Sequence, residues 1–353
     1  MYPKVKINLI GIRENMSRIC DKCRGFGINI TAVTKMFLAD ENIAEELVKG
    51  GVSAFGDSRV DNLKTLSCFN MEKWLLRLPM ESEIEDVVRY SDVSLNSELK
   101  TIRLLNKEAY KQNTVHKIII MIDLGDLREG YFSTDDLLSD VDKILQLKNI
   151  ELYGIGTNLT CFGGVIPRPE NLQKLVKIKE RIEDDFDLEL KVISGGNSSS
   201  YTLIDSGEMI SGINNLRLGE VILLGKETSY GNPVEGLNHD NFILEAQIVE
   251  LKEKPSVPIG EIGMDAFGNK PEFVNKGTMK RAIIAVGRQD VKTEGMIPLD
   301  EDIDILGASS DHTILDMTNA SKNYKVGDVV AFKLDYGAAL SAMTSKYVEK
   351  EYI

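Results

Sequence analysis

From the N-terminus to about residue 230, short apolar runs alternate with longer stretches in which apolar positions recur every three or four residues. The runs read as strands buried on both faces, and the longer stretches as helices laid against them. The predicted strands are "INITAVTK", "SAFGDS", "WLLRLP", "DVSLN", "KIIIMIDL", "ELYGIGTN", "LKVISGGN" and "NNLRLGE". Helices are predicted at "ADENIAEELVKGG", with Asp40 as N-cap, at "STDDLLSDVDKILQL" and at "PRPENLQKLVKIKERIEDDF". That many βα units closes a (β/α)8 barrel, predicted over residues 1–230. After "YGNPVEG" the texture changes to strand-like runs set apart by Gly, Asn and Asp turns, among them "FILEAQIVELKEKP" and "YKVGDVVAFKL". A second, mainly β domain is therefore predicted over residues 231–353.

A formal net charge of −13, with no block of basic residues, excludes a partner bound chiefly through phosphate backbones. Nucleic acid is ruled out on that ground. The N-terminus lacks a signal-peptide layout and the longest apolar runs, such as "IIIMI", are too short to cross a bilayer, so the expectation is a soluble, cytoplasmic protein with no membrane partner. Cys20 and Cys23 form a CxxC late in an amphipathic helix, without a second cysteine pair or nearby histidines, and read as ordinary helix positions. The histidines His116, His239 and His312 are scattered, and no catalytic metal is expected.

Barrels of this kind collect their chemistry at the C-terminal ends of the strands. There the sequence places Lys35, then Asp57, Ser58 and Arg59, then Asn96, Arg128, Thr157, Asn158, the run "SGGNSSS", and finally Arg217 and Gly219. "SGGNSSS" offers backbone N–H groups and hydroxyls ahead of a short helix, at the barrel position where phosphate is frequently bound. A lysine buried at a strand end, a phosphate cradle and an arginine together suggest pyridoxal 5'-phosphate. The lysine amine, its pKa lowered by desolvation, would form the Schiff base.

The segments "AVTK", "DLGDLREG", "GTNLTCFGG", "GGNSSS" and "LRLGEVILLG" together resemble the alanine racemase superfamily of fold-type III pyridoxal phosphate enzymes, and within it the alanine/ornithine racemase group. The resemblance covers essentially the whole chain. It implies that Lys35 is the Schiff-base lysine and that Arg217 faces the pyridine nitrogen. It further implies that Arg128 points toward the phenolic oxygen and the substrate carboxylate, and that Ser198, Gly219 and Glu220 hold the phosphate. "LDYGAAL" is similar to the segment whose tyrosine reaches the phosphate across a dimer interface, which nominates Tyr336 and a homodimer. Three positions depart from the alanine enzymes: Arg288, in "VGRQDV", takes the place of the catalytic tyrosine, Asn158 that of its supporting histidine, and Ala39 that of a phosphate-binding tyrosine.

The implied activity is racemisation of a free basic amino acid, ornithine, with Lys35 exchanging the α-proton on one face. For the opposite face His312 ranks first, because its free pKa is nearest neutrality, followed by Asp311, Tyr336 and Cys161. Asp311 and Asp290 are the carboxylates nominated to meet an ω-ammonium. Three alternatives stand beside this reading: a decarboxylase, although no cysteine follows Cys161; a D-threonine aldolase-like lyase, for which only His312 with Asp311 could bind metal; and a non-catalytic cofactor carrier, against which the β domain argues.

Overall fold

In the computed structural model, which describes residues 1–264, 268, 270 and 272–353, the chain opens with a short strand β1 (Lys4–Ile7) and an amphipathic helix α1 (Leu9–Arg24). Eight parallel strands then close into a barrel in chain order. They are β2 (Asn29–Val33), β3 (Ala54–Asp57), β4 (Glu72–Leu75), β5 (Val93–Asn96), β6 (His116–Ile122), β7 (Ile150–Thr157), β8 (Val192–Ser194) and β9 (Asn215–Leu218). The last strand returns to the first, with Arg217 opposite Thr31 and Leu218 opposite Ala32. The crossover helices are α2 (Glu41–Lys49), α3 (Val60–Thr65), α4 (Ile84–Tyr90), α5 (Leu99–Lys111), α6 (Thr134–Ile144) and α7 (Pro169–Phe186), and two short ones follow, α8 (Tyr201–Asp205) and α9 (Glu220–Leu224). Each strand-like run named above overlaps one of these strands, with β4 starting two residues before "WLLRLP" and β6 and β7 one residue before theirs, and the (β/α)8 expectation stands.

The strands read as unbroken apolar runs because both faces are covered: β3, β5 and β9 are buried at every position, and β6 at all but one. One wall of the barrel packs Trp74, Val93, Leu95, Ile119, Met121 and Val192 together. Asp40 caps α2 as its sequence suggested, accepting from Asn42 N at 3.0 Å and Ile43 N at 3.2 Å. Cys20 and Cys23 are both buried in α1, and burial pushes the Cys20 thiol up to about 11 and the Cys23 thiol to about 12, which keeps them as unreactive packing groups.

The remaining strands are β10 (Phe242–Pro255), β11 (Thr278–Ile284), β12 (Met296–Pro298), β13 (Asp304–Ala308), β14 (Thr313–Asp316), β15 (Val329–Leu334) and, after helix α10 (Tyr336–Thr344), β16 (Glu349–Tyr352). They form one sheet in the order β12-β15-β10-β11-β14-β13, to which β1 and β16 attach through β10. Burial alternates along β10 at Phe242, Leu244, Ala246 and Ile248, the pattern of an antiparallel strand with one face on a core.

The compact units are Leu9–His239 and Met1–Asn8 with Asp240–Ile353, which differs from a division at 230/231 in keeping residues 231–239 with the barrel and in assigning the first eight residues to the β unit. The cause is strand pairing. Val5 lies antiparallel to Leu244 of β10 and parallel to Lys350 of β16, so "KVKI" fills a gap in the sheet. Among the described residues no helix is long and apolar enough to cross a membrane.

Candidate active site

The polar residues gathered from the strand ends lie on the barrel unit at the C-terminal ends of β2, β3, β5, β6, β7, β8 and β9. Thr34 follows β2 and is fully buried, donating its hydroxyl to Asp57 Oδ2 at 2.6 Å. Burial pushes the Asp57 carboxyl up, while donation from Thr34, Arg59 N at 2.9 Å and Asn62 Nδ2 at 3.1 Å limits the rise. With Thr34 so anchored, Lys35 opens a 3₁₀ turn that ends at Leu38 in the left-handed region. The expectation of a buried Lys35 is corrected here: it is exposed, on the outward side of a turn that buries Met36 and Phe37 instead.

Across the barrel, Arg217 of β9 is 3 % exposed. Its guanidinium donates to Ser194 Oγ at 2.5 Å and to the Thr157 carbonyl at 2.7 Å. Ser194 Oγ in turn donates to Asn215 Oδ1 at 2.6 Å, and Asn215 Nδ2 donates to Thr31 Oγ1 at 3.0 Å. Burial lowers Arg217 to about 10, still well above neutrality, so a full positive charge sits in the barrel core.

"SGGNSSS" forms a 3₁₀ turn over Ser198–Ser200, capped by Asn197, whose Oδ1 accepts from Ser199 N at 2.8 Å. Ser198 is buried, and its Oγ accepts from Gly219 N at 3.2 Å and Val221 N at 3.3 Å at the start of α9. A Cβ on Gly219 would lie 3.1 Å from the Cβ of Val33, a tight contact that a larger residue could make only if Val33 gave way slightly. Glu220 follows, partly exposed.

The loops after β6 and β7 are tied by two residues whose roles the sequence did not suggest. Asp126 is buried and its carboxylate accepts from four backbone N–H groups of one loop: Thr160 at 3.0 Å, Cys161 at 3.2 Å, Phe162 at 2.9 Å and Val165 at 3.0 Å. Burial acts to raise this carboxyl, but the donors outweigh it and hold it below the usual carboxylate range. Glu129 pairs with Arg128 and also accepts from Asn158 Nδ2 at 3.3 Å, while Asn158 Oδ1 receives Asn197 Nδ2 at 2.8 Å. Arg128 is exposed, and although its partial burial disfavours the charge, Glu129 holds its pKa above the ordinary value.

The structure thus joins Arg128, Asn158 and Asn197 in one hydrogen-bonded run, and Ser198 with Gly219. Tyr336, His312 and Asp311 belong to the other unit. Tyr336 opens α10, whose N-cap Asp335 accepts from Ala338 N at 2.7 Å. His312 and Asp311 are exposed in the turn joining β13 to β14, where Ser309 N donates to the His312 carbonyl at 2.8 Å. Arg288 pairs with Glu294 at 2.6 Å. Asp290 is buried and accepts from Ser345 Oγ at 2.8 Å, so its carboxylate is not offered to a ligand from solvent.

Two observations suit the barrel mouth to a bound group that offers hydrogen-bonding atoms of its own. Arg217 makes its hydrogen bonds to a hydroxyl and a carbonyl, with no salt bridge to a carboxylate among the described residues. Beside it Thr157 Oγ1, and at the end of β5 Asn96 Oδ1, are buried polar atoms without a hydrogen-bond partner among the described residues.

A parallel barrel with lysine, buried arginine and a serine-rich cradle at its strand ends is the architecture of the alanine racemase fold, and residues 7–226 match the family model of the alanine racemase N-terminal domain. The chain belongs to the alanine racemase family. It is 52 % identical over 353 residues to the ornithine racemase of Acetoanaerobium sticklandii, covering 100 % of both chains. It is 40 % identical over 354 residues to the lysine racemase of Thermotoga maritima, covering 100 % of this chain and 99 % of that one. The crystal structure of alanine racemase from E. faecalis superposes with a TM-score of 0.75 at 15 % identity, over 99 % of this chain and 98 % of that one, a likeness of fold. Enzymes of this family are pyridoxal 5'-phosphate-dependent.

Proposed function

We propose that the protein is a pyridoxal 5'-phosphate-dependent racemase that interconverts the L- and D-enantiomers of a free basic amino acid, ornithine. The observation that carries this reading is identity of 52 % along the whole chain to an ornithine racemase, supported by the lysine racemase at 40 %. When bound, the cofactor supplies an electron sink for the charge left on Cα as the α-proton departs. Lys35 holds the cofactor and its Nζ takes or returns the α-proton on one face. Its exposed position after the anchored Thr34, at the C-terminal end of β2, supports that role.

Arg217, charged at neutral pH, is assigned to the ring nitrogen, which a fixed cation beside it keeps unprotonated. Ser198, Gly219 and Glu220 are assigned to the phosphate, with Tyr336 reaching it from a second copy of the chain. Arg128 grips the substrate α-carboxylate, and Asn158 lies beside it. His312, with Asp311 next to it, is the acid/base of the opposite face, supplied by the partner's β unit in a homodimer. The exposed side chains of Leu127 (65 %), Phe132 (74 %) and Phe162 (74 %), on the loops leaving β6 and β7, support a mouth covered by another copy. The compartment that goes with this function is the cytoplasm.

The test is exchange at Cα. Incubated with L-ornithine in D2O, the protein loaded with pyridoxal phosphate should release deuterated ornithine of both configurations, followed by NMR and chiral chromatography. Preference for alanine over ornithine, or no exchange with any amino acid, would refute the reading.

A further inference from the structure

Glu129 sits between two residues of the proposed site, yet none of the roles above uses it. Its carboxylate takes the neighbouring guanidinium with two prongs, Arg128 Nε on Oε2 and Nη2 on Oε1 at 2.5 Å, and Oε1 also accepts from Asn158 Nδ2 at 3.3 Å. The Glu129 side chain is 13 % exposed against 41 % for Arg128, so the carboxylate is the more enclosed of the pair. Asn158 is held by two bonds of opposite sense, giving Nδ2 to Glu129 and receiving Asn197 Nδ2 on Oδ1 at 2.8 Å. Asn197 caps the turn that carries Ser198. One run of hydrogen bonds therefore links Arg128 to the serine cradle across the loops after β6, β7 and β8, and Glu129 is its carboxylate. The same carboxylate supports the charge of both Arg128 and Arg217.

We propose that Glu129 is a positioning residue: it holds the Arg128 guanidinium in the orientation that grips the substrate α-carboxylate and fixes which way the Asn158 amide faces. The inference rests on the racemase reading, in which Arg128 takes that carboxylate. The geometry demands a carboxylate in particular. Three N–H groups converge on two oxygens, and a glutamine has one oxygen and an NH2 group. Placed either way, that NH2 meets a donor, either Arg128 Nε or the pair Arg128 Nη2 and Asn158 Nδ2. Asn158 cannot relieve the clash by flipping, because its own NH2 would then face that of Asn197. A neutral glutamine thus releases an already exposed arginine into many rotamers, and the loss falls on carboxylate binding rather than on proton transfer.

The test is a cycle of Glu129→Gln, Arg128→Ala and the double variant, read by steady-state kinetics with ornithine and with norvaline, its uncharged analogue, as substrate or competitive inhibitor. Amino-acid dissociation constants, taken from the perturbed absorbance of the bound cofactor, are measured alongside. Glu129→Gln should raise KM and Kd for both amino acids alike by about tenfold or more, with kcat within about threefold and the dissociation constant of pyridoxal phosphate within about threefold of the parent. In the Arg128→Ala background it should add nothing. A rise confined to ornithine would mean that Glu129 reads the ω-ammonium and would overturn the proposal, as would unchanged binding or additive losses. If Glu129→Gln does not fold, Glu129→Asp, too short for the two-pronged contact, carries the same cycle. Absence of turnover in the parent protein counts against the racemase reading alone, since the binding cycle still decides Glu129.

Discussion

Replacing Asp126 by asparagine separates a carboxylate from its near-isostere at a place where four donors converge. Oδ1 accepts from Thr160 N and Val165 N, and an asparagine oxygen can keep both bonds. Oδ2 accepts from Cys161 N and Phe162 N, and there the new NH2 group faces two N–H donors with nothing to accept. Two bonds to a charged acceptor are lost, each contributing roughly 1.5–3 kcal/mol. Cys161 and Phe162 are exposed residues, so water reaches part of what is vacated, and the lower end, about 2–3 kcal/mol, is the expected cost. In a unit the size of Leu9–His239 that corresponds to a fall in Tm of about 5–10 °C. Calorimetry and hydrogen exchange test this together: exchange at Cys161 and Phe162 should accelerate, while amides of β6 and β7 remain protected. A Tm within about 1 °C of the parent would refute the staple. The contribution is also pH-linked. Because the folded carboxyl is held below its usual range, the stabilisation is present above an unfolded pKa of about 3.9 and is lost as pH falls below it.

Borohydride reduction of the loaded protein, followed by peptide mapping, should leave the pyridoxyl group on Lys35, and labelling of another lysine would sink that assignment. Lys35→Ala mixed with His312→Ala should regain activity in heterodimers, and failure despite demonstrated subunit exchange counts against a shared site. His116 is buried with Nε2 2.8 Å from Ser94 Oγ, and burial lowers it to about 4. Its folded pKa lies below the unfolded value of about 6.5, so stability should decline as pH falls from about 6.5 towards 4, by up to about 3 kcal/mol; denaturant titrations of His116→Gln should show that slope reduced.

The barrel was legible because its strands are short, parallel and buried on both faces, which leaves polar residues conspicuous where each run ends. Lys35, Asn158 and Arg217 stand out in the sequence by that contrast, and the turn at Ser198 by its composition. Neither Asp126 nor Glu129 carries such a signal. Both are acids in a polar loop, and what distinguishes them is the donors that converge from segments thirty residues or so further on. Lys35 was taken as buried because strand and turn were read as one element, whereas the strand ends at Val33 and Lys35 is the exposed residue of a 3₁₀ turn whose Met36 and Phe37 are buried. The strand at Lys4–Ile7 escaped because four residues hold too little periodicity to declare themselves, and its partners lie at the far end of the chain.

That strand has a consequence for the order in which the protein can be made. Lys4 pairs with Glu349, and Asn8 N donates to the Asn241 carbonyl at 2.9 Å, so the polypeptide departs for the barrel and comes back at neighbouring backbone positions. On a ribosome the barrel residues emerge together and can fold as a block, while "KVKI" waits, unpaired and half apolar, until β10 and then β16 have been synthesised. Its final partner, Glu349–Tyr352, is the last strand of this sheet to be made, so the sheet around β1 is complete only once residue 352 has emerged. Ribosome-stalled chains in which β10 has not yet emerged should therefore carry a protease-resistant barrel and a cleavable segment at Lys4–Ile7, and chains in which residue 352 has emerged should protect that segment.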